Sequence, residues 1–146
     1  MENSNHFNVI VIGAGISGIG AGYYLKKNCP NKSFCIIEGR ENIGGTWDLF
    51  KYPGIRSDSD MFTLGYAFKP WKEQKTIANG PSILSYLEET VEENNLREKI
   101  KFNHKVLSAN WNSAERNWEV RAAHHEQEIL LTANFLFMGT GYYNYD

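Results

Sequence analysis

The run Val9-Ile10-Val11-Ile12-Gly13-Ala14-Gly15-Ile16-Ser17-Gly18 constrains this chain more than any other stretch. Four consecutive β-branched aliphatic residues read as a strand buried on both faces, and the glycines that follow turn it straight into a helix. At GxGxxG spacing each glycine has its own task. Gly13 permits a tight turn, Gly15 lets backbone approach a diphosphate, and Gly18 lets the helix lie close to the sheet. An anion at this corner would meet unpaired N–H groups and the positive end of the helix dipole. The helix is expected over roughly residues 16–27 and ends near Asn28-Cys29-Pro30, since proline cannot continue it. The same spacing also occurs in strand-to-helix turns that bind nothing, so the neighbouring sequence has to decide.

A second apolar run, Ser33-Phe34-Cys35-Ile36-Ile37, ends at Glu38, twenty residues after Gly18. In a βαβ unit this is where a carboxylate meets the ribose hydroxyls of an adenine dinucleotide. A carboxylate there also repels a 2′-phosphate, so the ligand of this corner is expected to be FAD or NAD rather than NADP. The competing reading of Glu38 is a plain surface acid at a strand end.

The chain has 146 residues, 42% of them hydrophobic and 14% aromatic, which fits one globular domain spanning 1–146. With 15 basic and 17 acidic residues it carries no electrostatic footprint for nucleic acid or an anionic membrane. The residues before Phe7 are polar, with no basic-then-apolar leader pattern, and no apolar run reaches membrane-spanning length. These features point to a cytoplasmic protein. Cys29 and Cys35 are too few for a disulfide scaffold, and neither they nor His6, His104, His124 and His125 fall at metal-ligand spacing, so no metal site is expected.

Beyond Glu38 about four dozen residues are irregular, punctuated by Gly39, Gly44, Gly45, Pro53, Gly54, Pro70, Gly80 and Pro81. Trp47, Phe50, Tyr52, Phe62, Tyr66, Phe68 and Trp71 argue against disorder here, because so much apolar area must be covered, by a flat cofactor ring or by ordinary packing. From Pro81 to Asn95 the pattern is helical, with Ile83, Leu84, Leu87 and Val91 on one face and a solvated glutamate face on which Glu93 and Arg97 could pair. Three short β-type runs follow, Ile100–Trp111, Trp118–Ala122 and Glu128–Leu131, and read as an antiparallel meander. A last apolar run, Phe135–Met138, enters a second glycine turn, Gly139-Thr140-Gly141.

The order of these parts is far more specific than any one of them. The chain resembles the N-terminal FAD-binding part of class B flavoprotein monooxygenases of the Baeyer–Villiger type, and within them the ethionamide-activating group. The resemblance is carried by Gly44-Gly45-Thr46-Trp47-Asp48-Leu49-Phe50, by Tyr52-Pro53-Gly54-Ile55-Arg56-Ser57-Asp58-Ser59-Asp60 and by Gly141-Tyr142-Tyr143-Asn144-Tyr145-Asp146. A disulfide reductase would place a cysteine pair after the glycine doublet, an amine oxidase an arginine, and a plain NAD-dependent dehydrogenase would need neither the doublet nor the meander.

The resemblance implies an α/β fold: a Rossmann-like FAD-binding domain with a parallel sheet plus an antiparallel β-meander. It implies that Ser17 and nearby N–H groups meet the FAD diphosphate, Glu38 the ribose, and the Val106 backbone the adenine region. Gly45, Thr46, Trp47, Asp48 and Leu49 would line the flavin end, and Gly139 and Gly141 would form the second corner. Asp58 matches the family acid beside the isoalloxazine, which orients a catalytic arginine supplied by a later segment. Arg56, Ser57 and Asp58 together would touch the nicotinamide cofactor; the alternative for Arg56 and Asp58 is an ion pair that stiffens the loop. In the family, NADPH reduces the flavin, and O2 then supplies an oxygen atom to a ketone, giving an ester, or to the sulfur of a thioether.

Three family features are missing from the sequence: a second GxGxxG for NADPH, an FxGxxxHxxxW fingerprint, and the arginine that Asp58 would hold. The chain is therefore expected to stop before the NADP domain and to be incapable of turnover alone. The alternatives are a non-catalytic flavin-binding or interaction module, or a partial subunit complemented by a separate chain. Apolar residues between Phe135 and Tyr145 are expected to be exposed and to favour self-association.

Overall fold

A computed structural model describes residues 5–143. Met1 to Ser4, where part of the leader reading falls, and Asn144, Tyr145 and Asp146 of the last resemblance motif lie outside the described residues.

The opening strand, helix and second strand form as the hydrophobic pattern requires: β1 (His6–Ile12), α1 (Ile16–Asn28) and β2 (Phe34–Ile37). Two one-turn helices, α2 (Thr46–Leu49) and α3 (Met61–Leu64), interrupt the irregular segment. Helix α4 (Gly80–Glu93) begins where Asn79 accepts a hydrogen bond from the Ser82 N–H at 2.8 Å, with Pro81 in its first turn. A short β3 (Ile100–Lys101) follows, then β4 (His104–Asn112), β5 (Asn117–His124) and β6 (Gln127–Met138).

Among the described residues the six strands belong to one sheet in the order β3-β2-β1-β6-β5-β4. Strands β1, β2 and β3 are mutually parallel, β6 is parallel to β1, and β4, β5 and β6 run antiparallel as the expected meander. Alternation along β1 serves two cores. Val11 and Ile36 face α1 and α4 and join Ile19, Ile83, Leu87 and Val91, whereas Ile10, Ile12, Cys35 and Ile37 face the other way and join Val120, Leu131 and Ala133.

Three details depart from the sequence reading. The run Ile100–Trp111 is not one strand: Ile100 and Lys101 pair with β2, and the chain then breaks at Asn103, which adopts φ +56, before β4 begins. The runs Glu128–Leu131 and Phe135–Met138 are not separate: both belong to the twelve-residue β6, whose first half pairs with β5 and whose second half pairs with β1. The parallel sheet and the meander are thus welded through a single strand. Arg97 pairs with Glu88 and Glu92 rather than with Glu93, which binds Lys69 at 2.7 Å. The turn after α4 carries Arg97 back along the helix, while the 66–71 loop brings Lys69 to the helix end.

Candidate dinucleotide site

The parallel register decides where the site lies. Ile12 is opposite both Ile37 and Met138, so Gly13, Glu38 and Gly139 leave three adjacent strands side by side at their carboxyl ends. Ligands of open parallel sheets bind at that edge. Gly13 has φ +97, and a Cβ there would lie 2.6 Å from the Gly139 carbonyl oxygen. A Cβ on Gly18 would collide with the Gly13 carbonyl oxygen. The two glycine corners therefore touch through backbone, which no other residue type permits at these points.

A cavity of about 490 Å³ opens over these strand ends. It is lined by Gly13, Gly15, Ser17, Glu38, Gly45, Thr46, Val106, Gly139 and Gly141 among the residues singled out from the sequence. Helix α1 points its first turn at this space, with Gly15 at the N-cap, no side-chain cap and no acidic residue in the first turn, so its N–H groups are left to an anion. At Gly15 an added Cβ would meet only Gly45 Cα and N, at 3.6 and 3.9 Å, which leaves the backbone open to close approach.

Glu38 is 8% exposed, and its carboxylate accepts from the Ala14 N–H at 2.8 Å and from the Arg40 N–H at 3.0 Å. An ionised carboxylate has about four acceptor positions, so two remain for a vicinal diol. The backbone of 38–40 is docked along the β3–β4 connection: Lys101 O accepts from Glu38 N, Arg40 O from Asn103 N and Glu38 O from His104 N, at 2.8–3.0 Å. This brings Val106, with His104 and Lys105, to the same end of the cavity as Glu38.

The remaining candidates stand apart from the cavity. Gly18 is buried packing. Trp47 packs against the core beneath α4, Leu49 is half-buried beside it, and Asp48 turns its carboxylate toward Arg40, 3.1 Å from Nη1. Arg56 and Asp58 are exposed, with no ion pair between them among the described residues. Ser57 is buried because its backbone and hydroxyl exchange hydrogen bonds with Ala78, N to O at 2.9 Å and Ala78 N to Oγ at 3.2 Å. Asp58 reaches the cavity indirectly. Tyr143 lines the rim and packs edge-on to Phe50 at 5.4 Å; its phenol titrates above the ordinary range, first through its hydrogen bond with Tyr142 and further through the negative charge of Asp58.

Sequence reasoning missed Arg40, His104, Lys105 and Tyr143, all of which line the cavity. Arg40 follows the strand-end acid by two residues, which is the one signal that could have found it. The aromatics of the 47–71 segment divide. Tyr66 and Phe68 stack at 4.7 Å, Phe68 stacks on Tyr23 at 3.5 Å, and Trp71 is buried beside Tyr86, so these pack the protein itself. Among the described residues no group of three metal-ligating side chains occurs, and no helix is long and apolar enough to cross a membrane.

Known proteins match this arrangement. A family model described as an NAD(P)-binding Rossmann-like domain matches residues 11–73. The FAD-containing monooxygenase EthA of Mycolicibacterium smegmatis is 54% identical over 143 residues, which is 98% of this chain and 29% of that protein. The probable FAD-binding monooxygenase AlmA of Acinetobacter baylyi is 52% identical over 97% of this chain and 28% of its own. Among solved structures, an oxidized steroid monooxygenase bound to NADP superimposes with a TM-score of 0.84 at 29% identity, covering 93% of this chain and 26% of that one. An open form of cyclohexanone monooxygenase gives 0.85 at 29% identity, covering 94% and 27%. The chain spans less than a third of the length of each of these relatives. In sequence and in fold the chain is similar to the N-terminal quarter of FAD-containing monooxygenases.

Proposed function

We propose that residues 1–146 form one FAD-binding domain and supply the flavin cradle of an NADPH- and O2-dependent monooxygenase acting on ketones or thioethers. The observation that carries this reading is the convergence of both glycine corners and Glu38 on one cavity at the carboxyl ends of β1, β2 and β6. Glu38 takes the ribose diol of FAD. Ser17 and the first N–H groups of α1 take the diphosphate, and Val106 borders the adenine. The Gly45–Thr46 loop, with Trp47, Asp48 and Leu49 behind it, supports the flavin end, and Gly139 and Gly141 close the second side.

Bound FAD would supply the redox chemistry, accepting hydride from NADPH and activating O2. This chain's residues hold the cofactor and shape the charge around it. Asp58, exposed and acting electrostatically on the cavity-lining Tyr143, is assigned the role of fixing a cation near the flavin, with Arg56 and Ser57 beside it toward the nicotinamide. Residues 1–146 contain no second GxGxxG. The 146-residue chain is accordingly expected to bind FAD without completing a cycle.

A second reading, a flavin-binding part completed by a separate chain or by a second copy of this one, is favoured by the exposure of Phe135, Phe137 and Met138 on β6. Two titrations test the proposal. FAD added to the purified chain should show a shifted, partly resolved flavin spectrum and quenched or enhanced emission, and no bound spectrum at any FAD concentration would refute the cradle. NADPH added under air with a ketone should be consumed no faster than without protein, whereas ketone-dependent consumption by this chain alone would refute its dependence on further residues.

A further inference from the structure

Arg40 occupies an unusual place in the cavity wall. Its own N–H binds Glu38 Oε1 at 3.0 Å, and its guanidinium Nε lies 3.9 Å from the same oxygen. The other end of the fork reaches across the crevice: Nη2 donates to the Gly45 carbonyl at 2.9 Å, and Nη1 lies 3.1 Å from Asp48 Oδ2. Gly44 N donates to Ala14 O at 2.9 Å, and Ala14 N donates to Glu38 Oε2 at 2.8 Å. The result is a closed ring of contacts through Glu38, Arg40, Asp48, Gly45, Gly44 and Ala14. The side chains of Glu38 and Asp48 are 10% and 12% exposed and that of Arg40 is 28% exposed, so the ring is largely shielded from water.

The ring joins two parts that a dinucleotide would use separately. Glu38 belongs to the strand end that meets the ribose, while Gly45 and Asp48 belong to the loop that supports the flavin. Without Arg40, Glu38 and Asp48 would be two shielded carboxylates, and among the described residues the second would keep just exposed Lys51, 3.9 Å from its Oδ1, as an ion-pair partner. A planar guanidinium satisfies a carbonyl and a carboxylate at once, which a lysine cannot do in the same geometry.

We infer that Arg40 is a positioning residue that fixes the distance between the adenosine subsite at Glu38 and the flavin-supporting loop at Gly45–Asp48, so that the intact dinucleotide depends on it more than the adenosine half does. The inference rests on the FAD reading of the cavity. A ligand that spans both subsites gains affinity only when they are held at matching separation, whereas a ligand confined to one of them is indifferent to that separation.

The experiment compares FAD with ADP, the adenosine half, by calorimetric titration of the wild-type chain and of Arg40→Gln, Arg40→Lys, Asp48→Asn and the Arg40→Gln/Asp48→Asn double variant. Arg40→Gln and Asp48→Asn should each weaken FAD about tenfold or more while ADP changes by less than about threefold, and Arg40→Lys should fall between wild type and Arg40→Gln. The double variant should be little worse than either single one, because both cut the same link. Asp48→Asn keeps side-chain volume and carries the test if Arg40→Gln loses its cooperative melting transition.

Equal losses for FAD and ADP, no loss for FAD, or additive losses in the double variant would each overturn the inference. A wild-type chain that takes FAD and not ADP would also overturn it. A wild-type chain that binds neither would bring down the FAD reading itself, which separates the two failures.

Discussion

His104 opens β4 at the Glu38 end of the cavity, its ring stacked on His124 at 4.1 Å and its Nδ1 paired with the Phe102 carbonyl at 2.5 Å. Burial lowers its pKa below the ordinary 6.5, the carbonyl works against that, and the neighbouring His124, Lys101 and His125 lower it further. The folded chain thus holds the proton on this ring less readily than the unfolded chain. Stability from this source is complete above pH 6.5 and is lost as pH falls through the folded value. Because the ring is partly exposed the effect is screened, less than one proton's worth of slope. Urea midpoints measured from pH 7 down to about 5 should fall more steeply for wild type than for His104→Gln, and identical slopes would exclude the contribution. His104 was invisible as a cavity residue in the sequence because a histidine in a β-type run carries no periodic signal, whereas Glu38 was legible from its spacing after Gly18. Arg40 lay between these cases: its position was readable, but the loop it reaches was not.

At the scale of elements, two phenols tie the irregular segment to helices on either side of it. Tyr86 on α4 donates its hydroxyl to the Lys69 carbonyl at 2.5 Å and accepts from the Tyr66 N–H at 2.7 Å, while Tyr66 donates its own hydroxyl to the Ile16 carbonyl in α1 at 2.6 Å. Burial pushes both phenols above their ordinary titration range, so both stay protonated donors. This chain of bonds runs from α4 through the loop to the helix whose first turn lines the cavity. Tyr86→Phe keeps the ring contacts with Tyr66 and Trp71 and removes only the hydroxyl, leaving a loop N–H and a carbonyl without their partner. It should cost about 1–3 kcal/mol in equilibrium denaturation, and a change below about 0.5 kcal/mol would mean water replaces the hydroxyl without penalty. The sequence showed that these aromatics must be covered, not that three of them would cover one another, since stacking depends on how a loop folds back. The same limit explains β6. Thr132-Ala133-Asn134 reads as a gap between two apolar runs, but Ala133 is buried against β5 and the strand pairs unbroken through it, first with β5 and then with β1. The strand ends, helices α1 and α4 and the two glycine corners were legible because each carries local chemistry; the weld between sheet and meander depends on partners far along the chain.

For the whole molecule, the two halves of β6 differ in what covers them. From Gln127 to Ala133 the strand is paired on β5, but beyond Ala133 its outer edge has no partner among the described residues, and only the β1 side is bonded. Along this open edge Phe135 is 69% exposed and Met138 60% exposed. Phe137 borders an apolar groove of about 750 Å³ lined by Ile16, Ala21, Tyr24, Leu25 and Leu64. An unpaired strand edge beside an apolar groove is a surface that seeks a partner, and a second copy of the chain offers an identical edge. Sedimentation velocity of the purified chain should therefore show mass rising with concentration. Phe135→Lys and Phe137→Lys, two residues apart and so on one face of the strand, put charge along the open edge without touching the cavity-lining glycines or Glu38, so they should return the chain toward monomer while FAD affinity stays within about threefold. A wild-type chain that stays monomeric at the highest concentration reached, or lysine variants that associate as before, would show that this edge is not where copies meet. Loss of FAD together with association would place the second copy at the flavin site itself, tying the open edge to the cradle rather than leaving it a bystander.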